Sequence, residues 1–216
     1  MRSEIGVGII GCGSVARWKY VKNLAEMSGV SLRAFYGGRA EEFQQQYGAP
    51  GSAVCRDLAE FLAREDVDAV CICTPNNSHA EIALAALRAR KHVLCEKPLT
   101  LNAAQAQSLF ALARERGLLL AEAMWTRTLP FAQALRKTLA DGRLGAPRLV
   151  TAVLGEAMAD IPRIAQPALG GGALLDIGVY ALTLACLALE GDVERVGGVC
   201  VQNGLGADIE ESISLR

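Results

Sequence analysis

Gly11, Gly13 and Ala16 form the first spacing in the chain that could do chemistry. They lie in Gly11-Cys12-Gly13-Ser14-Val15-Ala16, where the apolar run from Ile5 breaks into a turn before an amphipathic helix expected from Val15 to about Met27. Gly11 would let the chain reverse from strand into helix. Gly13 would remove a side chain where a pyrophosphate approaches the backbone, and Ala16 would keep helix and strand close. Amide groups at the helix start then face the anion. The competing reading is a strand-to-helix turn that binds nothing, and it uses the same residues.

A second strand expected at Ser31 to Tyr36 ends in Gly37-Gly38-Arg39. About twenty positions after such glycines, an acid normally grips the ribose hydroxyls of NAD, whereas an arginine suits the extra phosphate of NADP. Arg39 stands there and no acid does, which favours NADP and leaves NAD possible. Arg39 as an ordinary solvated side chain is the alternative. Further on, the apolar strand Ala69 to Cys73 stops at Thr74-Pro75-Asn76-Asn77-Ser78-His79, a turn at the carboxyl end of a strand, the edge where doubly wound sheets bind ligands. His79 reads as a packing residue or as a cofactor contact.

The elements that must position these turns alternate strictly. Helices are expected at Ala40 to Tyr47, Asp57 to Glu65, Ala80 to Ala89 and Ala103 to Arg116, and strands at His92 to Cys95 and Leu118 to Ala121. Such alternation predicts a parallel sheet with right-handed crossovers, a Rossmann-type α/β domain over residues 1–124. Past Trp125 the pattern changes to an α+β domain over 125–216 with an open, mainly antiparallel sheet. Phe131 to Leu139 and Ala173 to Leu189 read as helices, and Arg148 to Leu154, Val196 to Gln202 and Ile209 to Leu215 as extended runs. So few strands leave an uncovered face, so the second domain is expected to be incomplete or completed by another chain.

Composition narrows the class of function. With 216 residues, 51% of them hydrophobic, and a net charge of -1, the chain can bury a sizeable core but has no basic field for nucleic acid or an anionic membrane. No secretory leader or long uncharged apolar span is read, and the seven cysteines lie mostly in apolar runs, as expected of free thiols in a cytoplasmic protein. Two histidines and no Cys-x-x-Cys pair predict no metal site.

Cys95-Glu96-Lys97-Pro98 adds a lysine and a proline after a buried strand at the same sheet edge. Together with the glycine turn, Thr74 to His79, and Gly170-Gly171-Gly172-Ala173-Leu174-Leu175-Asp176-Ile177-Gly178-Val179-Tyr180, it resembles the glucose-fructose oxidoreductase, inositol dehydrogenase and rhizopine-catabolism family, Gfo/Idh/MocA. Glu122 to Arg127 and the tyrosine at 180 are most similar to its branch of NADP-dependent dihydrodiol dehydrogenases and D-xylose 1-dehydrogenases. The resemblance spans the whole chain, but the family's chains are markedly longer, which implies a truncated C-terminal part.

What the resemblance implies is an oxidoreductase moving a hydride between a nicotinamide cofactor and a sugar, polyol or cyclic vicinal diol. Cofactor contacts would come from Gly11 to Ala16, Gly38, Arg39, Thr74, Pro75, Asn76, His79, Glu96 and Lys97. Lys97 would sit beside the nicotinamide, with Asp176 and Tyr180 projecting from one helix into the same cleft. Their spacing agrees independently, since residues four apart share a helix face. Tyr180 is then the candidate general base in oxidation and acid in reduction, Lys97 its electrostatic partner, and Asp176 the group that orients a second hydroxyl. Trp125 and Arg127 would line the substrate pocket, although Trp125 serves equally as core. The Lys97-Pro98 bond is expected to be cis. The full-length form would be a homo-oligomer through its C-terminal sheet, and a catalytically silent sensor of the same fold, or an inactive fragment of the enzyme, is the competing outcome.

Overall fold

The computed structural model describes residues 4–158, 161–189 and 191–216. The chain divides into two compact units, Met1–Ala123 and Met124–Arg216.

The first unit is a six-stranded parallel sheet in the order β3-β2-β1-β4-β5-β6. Its strands are β1 (Ile5–Ile10), β2 (Val30–Tyr36), β3 (Ala53–Val54), β4 (Ala69–Ile72), β5 (His92–Cys95) and β6 (Leu120–Glu122). Helices α1 (Lys22–Glu26), α2 (Ala40–Tyr47), α3 (Leu58–Ala63), α4 (His79–Arg88) and α5 (Ala103–Arg116) make the crossovers. Alternation along the strands divides the core between the two faces. Ile9 and Phe35 pack with Val21 and Phe43 on one side, while Ile10 and Ala34 pack with Phe61, Leu87 and Leu109 on the other. Cys71 and Cys73, two residues apart, accordingly join the same cluster.

Local signals set the helix ends. Asp57 accepts from Glu60 N at 2.7 Å and Asn102 from Gln105 N at 3.0 Å, side-chain caps on α3 and α5, and Gly117 closes α5 in the left-handed region. Two features differ from expectation here. The strand β3 is only two residues long, too short to show a period, and the helix after the glycine turn opens with a π-helical stretch, Ala16–Val21, before α1.

The second unit contains α6 (Pro130–Ala140), α7 (Pro162–Ala165), a π-helical stretch Leu174–Gly178 running into α8 (Val179–Ala188), and a two-stranded antiparallel sheet of β7 (Val196–Gln202) and β8 (Asp208–Leu215). Residues 148–154, expected as a strand, are not one. Among the described residues the segment has no ladder partner, and strand character without a paired strand leaves no ladder to define it. Among the described residues the sheet therefore has two strands, and β7 is exposed along its whole length.

Candidate active site

Three turns follow three adjacent strands, β1, β4 and β5, at their carboxyl ends, and the expected site residues of the first unit lie on them, except Gly38 and Arg39, which follow β2. After β1, the Gly11 amide donates to Tyr36 O at 2.8 Å and the Arg17 amide to Gly13 O at 3.1 Å, so the turn is fastened to β2 and runs straight into helix. At Gly11, φ is +92°, and a Cβ would lie 2.6 Å from the Cys73 carbonyl carbon. At Gly13 a Cβ would meet nothing within 4 Å. One glycine is demanded by the neighbouring backbone. The other leaves open space beside the first helical turn, whose amides have no partners within the helix. Arg39, exposed at the end of β2, donates from Nε to Cys12 O at 3.3 Å, which holds its guanidinium next to that space. An open backbone cradle beside a fixed cation fits a phosphate-bearing nucleotide. Cys12 supplies backbone only. Burial pushes its thiol up to about 12, so it stays protonated and is no nucleophile.

After β4, the Ser78 hydroxyl bonds Thr74 Oγ1 at 2.7 Å and the Pro75 carbonyl at 2.8 Å, closing the turn that presents Asn76. Of the two readings of His79, the geometry of its ring matches packing. Its side chain is fully buried, with Nδ1 2.7 Å from Pro98 O and Nε2 2.9 Å from Thr74 O. Rather than facing a cofactor, the ring ties the turn after β4 to the turn after β5. His79→Ala leaves the carbonyl that accepts the ring N–H without its donor and empties a fully buried site, and should lower stability by about 2–4 kcal/mol, read as a drop in melting temperature.

After β5, the Lys97–Pro98 peptide bond is cis, as expected from the sequence. The turn is held from three sides: Lys97 N donates to Glu96 Oε2 at 3.3 Å, Leu99 N donates to Glu122 Oε1 at 2.7 Å, and Pro98 O meets His79. Glu96 is itself buried and accepts from Tyr20 Oη at 2.7 Å and Lys19 Nζ at 3.3 Å. Its carboxylate thus links the helix that follows the glycine turn to the turn that presents the half-buried Lys97. That link was missed from sequence, because it joins residues more than seventy apart and no local period reports it.

In the second unit, the indole N–H of Trp125 donates to Tyr180 Oη at 3.2 Å, with the rings edge to face at 6.1 Å between centroids. Trp125 is therefore half exposed and in contact with the candidate proton-transfer group rather than in the core. Arg127 is exposed one turn away. Asp176 is 4% exposed and receives a 2.8 Å ion-paired hydrogen bond from Arg163. The sequence reading pictured a carboxylate kept for substrate. The structure instead holds it by an arginine thirteen residues earlier, which no motif marked. Asp176 lines a cavity of about 430 Å³ with Leu154, Met158, Ile164, Asp208 and Glu211, and Tyr180 is not among the lining residues. Among the described residues, no group of three or more His, Cys, Asp or Glu side chains is placed to hold a metal ion.

Residues 167–188, helical apart from the break at 170–172, are long and apolar enough to cross a membrane by length and composition alone. The ion-paired Asp176 near their middle is costly in such a span, and the stretch falls within a family match.

Residues 5–124 match the model of an oxidoreductase family with an NAD-binding Rossmann fold, GFO_IDH_MocA, and residues 132–215 match the GFO/IDH/MocA C-terminal domain. Among curated proteins, the chain is 41% identical over 206 residues to a dTDP-3,4-didehydro-2,6-dideoxy-alpha-D-glucose 3-reductase from Actinomadura kijaniata, covering 91% of this chain and 60% of that one. It is 35% identical over 179 residues to a trans-1,2-dihydrobenzene-1,2-diol dehydrogenase from Danio rerio, covering 82% of this chain and 53% of the relative. Among solved structures, the 3-ketoreductase KijD10 from Actinomadura kijaniata, in complex with NADP and TDP-benzene, superposes with a TM-score of 0.76 at 37% identity, over 91% of this chain and 60% of that one. The same ketoreductase has been solved with a tyrosine replaced by phenylalanine and with a lysine replaced by alanine. The chain spans between half and three fifths of the length of these relatives. With both family models matched in order along it, and the glycine turn and Lys97–Pro98 turn at one sheet edge, this chain belongs to the Gfo/Idh/MocA oxidoreductase family.

Proposed function

We propose that the protein is an NADP-dependent dehydrogenase or reductase acting on a hydroxyl or ketone of a sugar, polyol or cyclic vicinal diol. The observation that carries this reading is the sheet edge: an open glycine cradle with Arg39 beside it after β1, the Thr74 turn after β4, and the braced Lys97–Pro98 turn after β5. A bound nicotinamide supplies the hydride chemistry. The chain's own groups bind the nucleotide and move the proton.

Gly13, Ser14 and the following helical turn would hold the pyrophosphate, and Arg39 the 2′-phosphate. Thr74, Pro75 and Asn76 would line the nucleotide's path. In reduction Tyr180 gives its hydroxyl proton to the reacting oxygen, and in oxidation the deprotonated phenol takes a proton back from the substrate's hydroxyl. Its oxygen already accepts from the Trp125 indole, so its own proton is the one directed away from that contact. Lys97 hydrogen-bonds the reacting oxygen. Asp176, held by Arg163, orients a second hydroxyl.

A second reading, a keto-sugar carried on a nucleotide as substrate, is favoured by the 41% identity to the dTDP-sugar 3-reductase. A spectrophotometric screen of the longest natural form separates the two. NADP reduction with D-xylose, D-glucose, inositol or a trans-dihydrodiol supports the first, and NADPH oxidation with a dTDP-linked ketosugar supports the second. Activity with none of these would leave the dehydrogenase reading without support.

Cofactor choice has its own test. Arg39→Ala should weaken NADP binding by about tenfold or more, the scale of a lost charge-assisted phosphate contact, and leave NAD binding unchanged. Equal loss for both would show Arg39 to be a scaffold residue.

A further inference from the structure

Asp208 and Glu211, on β8, were not singled out by the sequence, and nothing in the proposed chemistry uses them. A register shift in the β7–β8 pairing brings them together. Gln202 pairs with Asp208 and Val201 with Glu210, so Ile209 is an extra, unpaired residue. In a regular strand, residues three apart point to opposite faces; the bulge resets the alternation and brings these two to one side.

Asp208 Oδ2 accepts from Leu174 N at 2.7 Å. Its other oxygen would lie 2.0 Å from a Cβ at Gly172, where φ is +116°, so the carboxylate is seated against the glycine turn itself. Glu211 reaches the far end of the π-helical stretch, with Oε2 3.5 Å from where a Gly178 Cβ would stand. The two carboxyl groups line the same cavity, where a proton on one would let it donate to the other. If both were ionised neither could donate, and Oε1 of Glu211 would be a buried oxygen with no donor among the described residues.

We infer that Asp208 and Glu211 share one proton and, as a carboxyl pair, fix the start of the helical segment that carries Asp176 and Tyr180. Asp208 is the positioning residue and Glu211 holds the proton. Their importance to catalysis rests on the roles proposed above for Asp176 and Tyr180, but the pairing does not. Burial, then the hydrogen bond and charge of Asp208, push Glu211 up to about 7. Burial opposes ionisation of Asp208 too, but the bond from Glu211 and those from the amides of Leu174, Asp208 and Ala173 outweigh it and hold its pKa below the ordinary value. The charged groups lining the same cavity are Asp176 from the helix, Glu156 from the 153–158 segment and Glu210 from β8, with Arg163 paired to Asp176. A second ionised carboxylate there would add to an acidic surrounding.

The sign of the pH effect follows. Glu211 holds its proton more tightly in the folded chain than in the unfolded one, so its contribution is complete at acid pH below the ordinary glutamate range. It is lost as pH rises through about 7. Trp18→Phe leaves Trp125, bonded to Tyr180, as the single tryptophan reporting on the segment. In that background, between pH 5.5 and 8.5, melting temperature should fall by a few degrees and level off above about 7, and Trp125 fluorescence should shift with a midpoint near 7. Glu211→Gln, which keeps a donor toward Asp208, should flatten both curves. The infrared band of a protonated carboxyl present at pH 6 should vanish by pH 9 and be missing from Glu211→Gln. A wild-type protein with no such band at pH 6, or a Glu211→Gln variant with the parent pH profile, would overturn the inference. If Glu211→Gln fails to fold, Asp208→Asn serves in its place: it removes the charge of Asp208 but not the burial, and should move the Glu211 transition below that of the parent, an unmoved transition overturning the inference. None of these readouts uses activity, so their failure and the failure of the dehydrogenase reading are separable.

Discussion

Tyr180→Phe should lower turnover by about a hundred- to ten-thousand-fold, the range a positioned proton donor contributes, while NADP affinity stays within about twofold of the parent. The substitution removes one oxygen and keeps the ring. The edge-to-face contact with Trp125 survives, and what is lost is the hydrogen bond from the indole N–H, worth about 1 kcal/mol. Folding is therefore not in question, and a large fall in kcat with a fall in melting temperature of no more than a few degrees isolates the proton transfer. Trp125→Phe is the control. It removes the donor to Tyr180 but leaves the phenol, so its effect on kcat should be well below that of Tyr180→Phe. The measurement belongs on the longest natural form, with whichever substrate the screen finds. Unchanged turnover in Tyr180→Phe would move the proton to another group and leave Lys97 as the first to examine.

The proposed roles were legible to different depths. The parallel sheet was readable because its signals are local: apolar strands that end in turns, alternating with short helices. The glycine turn was readable for the same reason. Roles for Lys97, Asp176 and Tyr180 came from family resemblance, since a lysine beside a turn and two polar residues four apart on a helix are common in proteins without chemistry. What sequence did not show is what holds these residues. Tyr20 meets Glu96 from the helix after the glycine turn, His79 bridges two carbonyls, and Arg163 pairs with Asp176. Each is a tertiary choice with no period or spacing. The pairing of Asp208 with Glu211 was further hidden by a bulge, because strict strand alternation places the two on opposite faces. Residues 148–154 failed in the other direction. Their composition suits a strand, yet a strand is a relation between two segments, and among the described residues no second segment pairs with them as a strand.

The largest structural effect is expected at Gly11, and it gains its meaning from contrast with Gly13. In Gly11→Ala the new methyl would stand 2.6 Å from the Cys73 carbonyl carbon and 2.7 Å from both its oxygen and Thr74 N. These are backbone atoms of the neighbouring turn, so no side chain can swing aside, and φ of +92° disfavours any residue with a Cβ. A loss of about 3–5 kcal/mol is expected, roughly 10 °C in melting temperature, and it should appear with no nucleotide present. Gly13→Ala meets nothing within 4 Å. Its stability without nucleotide should stay within about 0.5 kcal/mol of the parent. Yet NADP binding should weaken by about tenfold or more, because the methyl stands where the pyrophosphate must reach the backbone. Melting curves without nucleotide and a fluorescence titration with NADPH separate the two variants. If Gly13→Ala binds NADPH as the parent does, the open space at the turn is not the phosphate cradle, and Gly11 remains as a packing residue alone.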